Sequence, residues 1–242
     1  MNLRSWLQKN EFSLALSSGF FGFYAHCGFV KALYDSKCYP KEVSGSSAGA
    51  IIAGALASGL SPQEIEEIVI GFRKQDFWDP SLGWGFIRGQ LFEDILHHHF
   101  IQDFSQAKLP LHISIFDIFK MKTVVARTGS TARAIRASCA VPLMFHPTMI
   151  ENRPYWDGGL LDKAGMEGLN ADAPILCHYL KSPGLITDLE YKFFKKKMHS
   201  NLKLVLLEDL SQCGPNLMHE GKAIIDEAYQ KTQKKLDEAV SL

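Results

Sequence analysis

The chain of 242 residues is poor in what would place it in several classes at once. It has only five cysteines, at 27, 38, 139, 177 and 213, an odd and scattered set without a Cys-x-x-Cys pair. This implies neither a disulfide framework nor a thiolate zinc site, and fits free thiols in a reducing compartment. It lacks an excess of either charge: 26 Lys and Arg meet 26 Asp and Glu. A nucleic-acid partner would call for a basic excess, so none is expected. No window reaches the ~18 apolar residues of a membrane-spanning helix. Met1–Phe12 is polar and charged and has no apolar leader core, so a cytoplasmic protein is expected. Repeats and low-complexity tracts are absent. What remains, 46% hydrophobic and 21% charged, is the balance of one globular domain spanning residues 1–242.

Hydrophobic patterning predicts strands alternating with helices. Phe12–Ser18 reads as a buried strand, Gly19–Phe23 as a Gly-containing loop and Tyr24–Ser36 as a helix. Ser61-Pro62-Gln63-Glu64 is a helix start, with a serine cap, proline at the first position and a glutamate completing a capping box. Gln75–Gly89 lacks a clean period and reads as a loop rich in apolar groups. Gln90–Phe100 and Ala132–Cys139 read as helices; Leu111–Phe116, Thr123–Ala126, Pro174–Leu180 and Leu202–Leu207 read as strands. A long amphipathic helix, Met218–Val240, closes the chain. This order predicts an α/β fold, three layers α/β/α around a largely parallel central sheet.

One segment carries chemistry. Val43-Ser44-Gly45-Ser46-Ser47-Ala48-Gly49-Ala50 reads as a strand, a sharp turn with Ser47 at its apex, and a helix. In a Gly-x-Ser-x-Gly elbow the serine sits on strained backbone, and small residues two positions either side let strand and helix pack closely. The following helix, Ala48 to Gly59, is small or apolar on every face and reads as buried all round. A nucleophilic serine and a structural Ser/Gly turn both fit this pentapeptide. An α/β-hydrolase is disfavoured, because too few residues precede Ser47 and the late histidines His178, His199 and His219 have no supporting pattern.

Four ordered segments carry a more specific likeness. They are Leu14–Leu33 with its Ser18-Gly19-Phe20-Phe21-Gly22 loop, Gly45–Gly49, Ala134–Pro147, and Tyr155-Trp156-Asp157-Gly158-Gly159. Together they resemble the patatin-like phospholipase family over about Leu14 to Leu161. The resemblance implies a Ser–Asp dyad. Ser47 would be the nucleophile, Asp157 its general base, and Ser18, Gly19 and Phe20 the oxyanion-hole loop. Gly45 and Gly49 would form the elbow, Gly158 and Gly159 the turn behind the base. It implies a lipid acyl hydrolase of phospholipase A, lysophospholipase or esterase type, acting on acyl lipids or phospholipids with no metal or organic cofactor. The alternatives are a non-catalytic relative that binds lipid or a protein partner, and an acyltransferase using the same acyl-enzyme. The chain departs from the family pattern at Phe20 and Phe21, where Gly and a small residue are common, at Gly22, the basic position, and at Phe23, the final Gly. The usual Asn-x-Pro after Asp-Gly-Gly-Leu-Leu is Asp162-Lys163-Ala164-Gly165.

Other features read more plainly. His97-His98-His99 face different ways on a helix, which favours a solvated surface over a metal site. Asp117 and His26 are assigned structural roles. The Ser18–Gly22 loop lacks the full phosphate-loop pattern. Phe77–Phe86 reads either as a lid or lipid-facing loop, giving peripheral membrane contact, or as a long loop packed on the core. Lys192, Lys195, Lys196 and Lys197, interleaved with Phe193 and Phe194, read either as a contact for anionic headgroups or, in preference, as a solvated basic helix.

Overall fold

Ten residues after the first helix begins, the chain enters its central sheet, and the register of that sheet governs the rest. The computed structural model describes residues 1–181, 201–207, 209–211 and 213–239. Helix α1 (Leu3–Lys9) leads to β1 (Ser13–Leu16), α2 (Phe23–Asp35), β2 (Glu42–Ser46), α3 (Ala48–Ala57) and α4 (Pro62–Gly71). Then come β3 (Gly85–Ile87), α5 (Gln90–His99), β4 (Leu111–Asp117), β5 (Lys122–Ala126) and α6 (Thr131–Ser138). Strands β6 (Leu143–Phe145), β7 (Thr148–Ile150), β8 (Arg153–Asp157), β9 (Ile175–Tyr179) and β10 (Leu202–Leu206) precede α7 (Gly221–Asp237). The basic segment Lys192–Lys197 with Phe193 and Phe194, together with His199 and Val240, lies outside the described residues.

The main sheet runs β10-β9-β1-β2-β4-β8-β7, with β5 also paired to β4. The five strands from β10 to β4 are parallel; β5, β7 and β8 add antiparallel pairs. The fold is therefore α/β, three layers around a mostly parallel sheet. Alternation along β1 explains the layering. Leu14 and Leu16 enter the larger core beneath the helices, and Ala15 joins a smaller one with Ala164, Cys177 and Tyr179.

Local chemistry sets the helix starts. Ser61 and Glu64 form the capping box reciprocally, with Pro62 in the first turn. The N-terminus of α5 is capped from a distance: Asp79 accepts from the amides of Gly89, Gln90 and Leu91. The segment read as loop, Gln75–Gly89, therefore carries more order than its composition shows. It holds most of a 3-10 turn (Lys74–Phe77) and β3, which pairs in parallel with β6. The first helix is another difference. Its composition is polar, yet Leu3, Trp6 and Leu7 form a buried apolar face.

Candidate active site

Strand β4 brings Ser47 and Asp157 together. It carries β5 along one edge from Ile113 to Asp117. Its other edge is shared end to end. Strand β2 occupies it up to Ser46, opposite Ser114, and antiparallel β8 arrives from the far end and finishes at Asp157, opposite Ile115. Two strand ends therefore meet on consecutive residues of one neighbour. At that junction the Ser47 Oγ hydroxyl donates to Asp157 Oδ2 at 2.8 Å.

The elbow has the strain its spacing predicts. Ser47 sits at φ 52°, ψ −119°, a conformation that L-residues seldom adopt. A Cβ on Gly45 would come within 2.5 Å of the Gly49 carbonyl oxygen, and one on Gly49 would collide with the carbonyl of Leu16. Strand β1, the elbow and α3 can approach this closely only with glycine at both places.

Ser47 is held from a third side. Its backbone N–H donates to Ser138 Oγ (2.8 Å), and that hydroxyl donates to the Ser114 carbonyl (2.7 Å). Ser138 thus ties the strained turn to β4 from the end of α6. It lies within Ala134–Pro147, but no spacing rule marks its role. Ser138→Ala leaves a buried amide without an acceptor and is expected to cost about 1–3 kcal/mol, measured as a fall in Tm.

Asp157 is buried, and its second oxygen, Oδ1, accepts from the Gly159 amide at 2.7 Å. Burial pushes its carboxyl up to about 6, against the opposing hydrogen bonds from Ser47 and Gly159. Gly158 opens the turn behind it and is itself buried. Beside the pair, burial holds the Cys139 thiol well above its ordinary range; the Asp157 charge adds to this and a hydrogen bond with Ser47 opposes it.

The loop after β1 is fastened at its start. The Ser18 amide donates to the Lys163 carbonyl (2.8 Å), so it is not free to face a substrate. The amides of Gly19 and Phe20 carry no hydrogen bond among the described residues, and the Gly22 amide closes the turn onto the Gly19 carbonyl. The aromatic departures have a packing role, since Phe21 meets Phe77 edge-on at 6.3 Å between ring centroids. Behind the loop, His26 and His178 are buried with their Nδ1 atoms 2.8 Å apart, and His26 Nε2 lies 2.8 Å from the Ser17 carbonyl. A carbonyl only accepts, so His26 donates from Nε2 and receives from His178 at Nδ1. Burial lowers His26 to about 4 and His178 well below its usual value, so both stay neutral at ordinary pH.

Ser47 opens onto a cavity of about 740 Å³ at the carboxyl end of the parallel strands. Its wall is nearly all apolar, from Phe21, Ile51, Phe77, Phe86, Phe92 and Met144 among others, with Lys74 its one charged residue among those described. Phe77 packs inward on Phe72 and Phe92, whereas Trp78, Leu82, Trp84 and Phe86 are exposed. The inward packing of Phe77 agrees with a loop packed on the core. Among the described residues no group of three or more His, Cys, Asp or Glu side chains is placed to hold a metal ion.

A family model described as patatin-like phospholipase matches residues 14–169, which include Ser47, Asp157 and the loop between β1 and α2. The chain belongs to the patatin-like phospholipase family. An uncharacterised NTE family protein of Mycobacterium tuberculosis is 30% identical over 180 residues, covering 67% of this chain and 47% of that protein. A patatin-like phospholipase domain-containing protein of Yarrowia lipolytica is 36% identical over 77 residues, 31% of this chain and 9% of that protein. This chain spans about half the length, or less, of these curated relatives. Among solved structures, VipD from Legionella pneumophila superposes with a TM-score of 0.66 at 14% identity, over 94% of this chain and 67% of that one. The heterodimeric ExoU–SpcU complex of Pseudomonas aeruginosa gives 0.53 at 16% identity, over 94% of this chain and 51% of that one. At such identities these two structures show a shared fold and nothing finer.

Proposed function

We propose that this patatin-like chain is a lipid acyl hydrolase in which Ser47 and Asp157 act as a catalytic dyad. The observation that carries the reading is the 2.8 Å hydrogen bond to a buried carboxylate from the hydroxyl of Ser47, which lines an apolar cavity. A serine hydroxyl becomes a nucleophile when an acceptor stands ready for its proton. Asp157 takes that proton as Oγ attacks the ester carbonyl carbon. The resulting oxyanion needs preorganised donors, and the unpartnered amides of Gly19 and Phe20 are suited to it. Ser18 serves instead to fix the loop. Collapse of the tetrahedral species expels the alcohol, which takes the proton from Asp157 and leaves an acyl ester on Ser47. Asp157 then deprotonates a water that attacks this ester, releasing a carboxylic acid and restoring the Ser47 hydroxyl. Cys139 stays protonated under these conditions and is a poor competitor as nucleophile.

The wall, apolar over nearly its whole surface, fits an acyl chain, so we assign esters of fatty acids as substrates, phospholipids and lysophospholipids included. The reading takes residues 1–242 as one hydrolase domain that reaches its substrate by peripheral membrane contact through the exposed aromatics of Phe77–Phe86. Among the described residues no helix is long and apolar enough to cross a membrane.

Labelling with a serine-directed fluorophosphonate tests the dyad directly, because phosphonylation requires an activated hydroxyl. Stoichiometric labelling, mapped to Ser47 and absent from Asp157→Asn, is expected. An unlabelled wild type would favour a lipid- or partner-binding protein instead. Product analysis with added alcohol acceptors separates hydrolysis from acyl transfer.

A further inference from the structure

The exposed apolar side chains of this protein are not scattered. Apart from Met1, Tyr39 and Leu91, every exposed large one among the described residues lies on the segments framing the cavity or on the antiparallel strands beside it and their adjoining turns. The turn joining β4 to β5 stands out because it does not line the cavity at all. Strand β4 continues three residues beyond Ser114, the partner of Ser46, so its end stands ~10 Å past the elbow. There the chain turns through Ile118-Phe119-Lys120-Met121, with Phe119 and Met121 each 69% exposed. The turn is rigid, since the buried Asp117 carboxylate accepts from the amides of Phe119 and Lys120. Met149, also exposed, stands beside it on β7, opposite Pro154, whose carbonyl accepts from the Ile118 amide.

The charges around this tip are of one prevailing sign. Lys120, Lys122 and Arg153 are exposed, and Glu151 in the next turn is the exposed acid beside them. Asp117 is wholly buried, 3.9 Å from both Lys120 and Arg153. Apolar side chains projecting between lysines, on a turn held stiff from beneath, match the boundary between acyl chains and anionic headgroups. A turn this small buries too little surface for a stable protein interface by itself. It also projects from the end of the sheet at which the cavity opens.

We propose that the Phe119–Met121 turn is a second membrane anchor that docks this face on anionic phospholipid bilayers, with the exposed aromatics of Phe77–Phe86 as the first. The proposal rests on the acyl-lipid reading for its orientation, but not for its test. Lysines near an anionic surface each contribute attraction that salt screens within a Debye length. Binding should therefore need both the apolar tip and the basic flank.

The test is co-sedimentation of the full chain with phosphatidylcholine vesicles, with and without phosphatidylglycerol, followed by activity on a soluble short-chain ester. Phe119→Ser with Met121→Ser is expected to lower binding to the anionic vesicles about tenfold or more, with unchanged turnover of the soluble ester. Lys120→Gln with Lys122→Gln, which removes both charges without setting a carboxylate beside buried Asp117, still faced by Arg153, is expected to lower anionic binding and flatten its salt dependence; it carries the test if the first variant folds poorly. Wild-type binding by either correctly folded variant overturns the anchor, as does equal binding to both kinds of vesicle, or binding only to a protein partner. Vesicle binding through the turn without any ester cleavage would sink the hydrolase reading and leave the anchor standing. Cleavage on vesicles that ignores the turn would do the reverse.

Discussion

Ser47→Ala loses hydrolysis of a short-chain p-nitrophenyl ester by roughly four powers of ten while remaining folded: that is the largest effect expected here. Substrate binding should change little, because Ser47 is one small residue in a cavity wall built mostly from apolar side chains. The fall should therefore appear in kcat far more than in KM. The hydroxyl's hydrogen bond is to Asp157, and the strain at φ 52° belongs to the backbone, so alanine inherits the strain without the chemistry. Ser47→Gly sharpens the test. Glycine adopts this conformation freely, so the variant is expected to be equally inactive and about 1 kcal/mol more stable. Tm together with turnover, measured on the three proteins, decides the matter. A Ser47→Ala protein as active as wild type would exclude the dyad.

The second large effect belongs to Asp157 and comes with a pH signature. Only the ionised carboxylate can take the serine proton, and burial has pushed this group up to about 6. In the free enzyme kcat/KM is expected to be level at neutral pH and to fall about tenfold per pH unit below 6. Asp157→Asn should cost several powers of ten at every pH and abolish that limb of the profile. Stability runs the opposite way. A carboxyl whose pKa is higher folded than unfolded binds its proton more tightly in the folded state. Its contribution to stability is full below the unfolded value near 4 and is lost as the pH rises through 6. At neutral pH the buried charge therefore opposes folding, by something on the order of 3 kcal/mol. Asp157→Asn is then expected to melt higher than wild type at pH 7 and to lose that advantage toward pH 4. An inactive variant that is also destabilised at neutral pH, with no dependence on pH, would mean that Asp157 is a structural turn residue.

These effects arise from features that differ in how they are written into the chain. The Ser47 elbow was legible because its causes are local: Gly45 and Gly49 lie two residues from the serine, and their lack of a side chain is itself the structural requirement. The Ser61 capping box and the all-buried helix after Ser47 were legible for the same reason, since caps and helical periodicity act within a turn or two. Strands β3, β6 and β7 escaped because three-residue strands have no period to read, and pairing partners such as Gly85 and Leu143 lie far apart in the chain. Helix α1 escaped because its polar composition masks the stripe of Leu3, Trp6 and Leu7.

Asp157 entered the site through resemblance, not through any local property of an aspartate before two glycines. Tertiary structure supplies the reason it stands beside Ser47: two strands of opposite direction end on neighbouring residues of β4. The Ser18 amide turned toward Lys163, the hydroxyl of Ser138 beneath the elbow and the shared cavity wall likewise depend on segments distant in sequence. So does the raised carboxyl of Asp157, since desolvation is summed over every neighbour that excludes water. The sequence by itself determined a strained serine at the head of a buried helix in an α/β chain, because short-range sterics and periodicity suffice for that. Only the tertiary structure decided what the serine faces, because strand register and burial are properties of residues that meet only when the chain is folded.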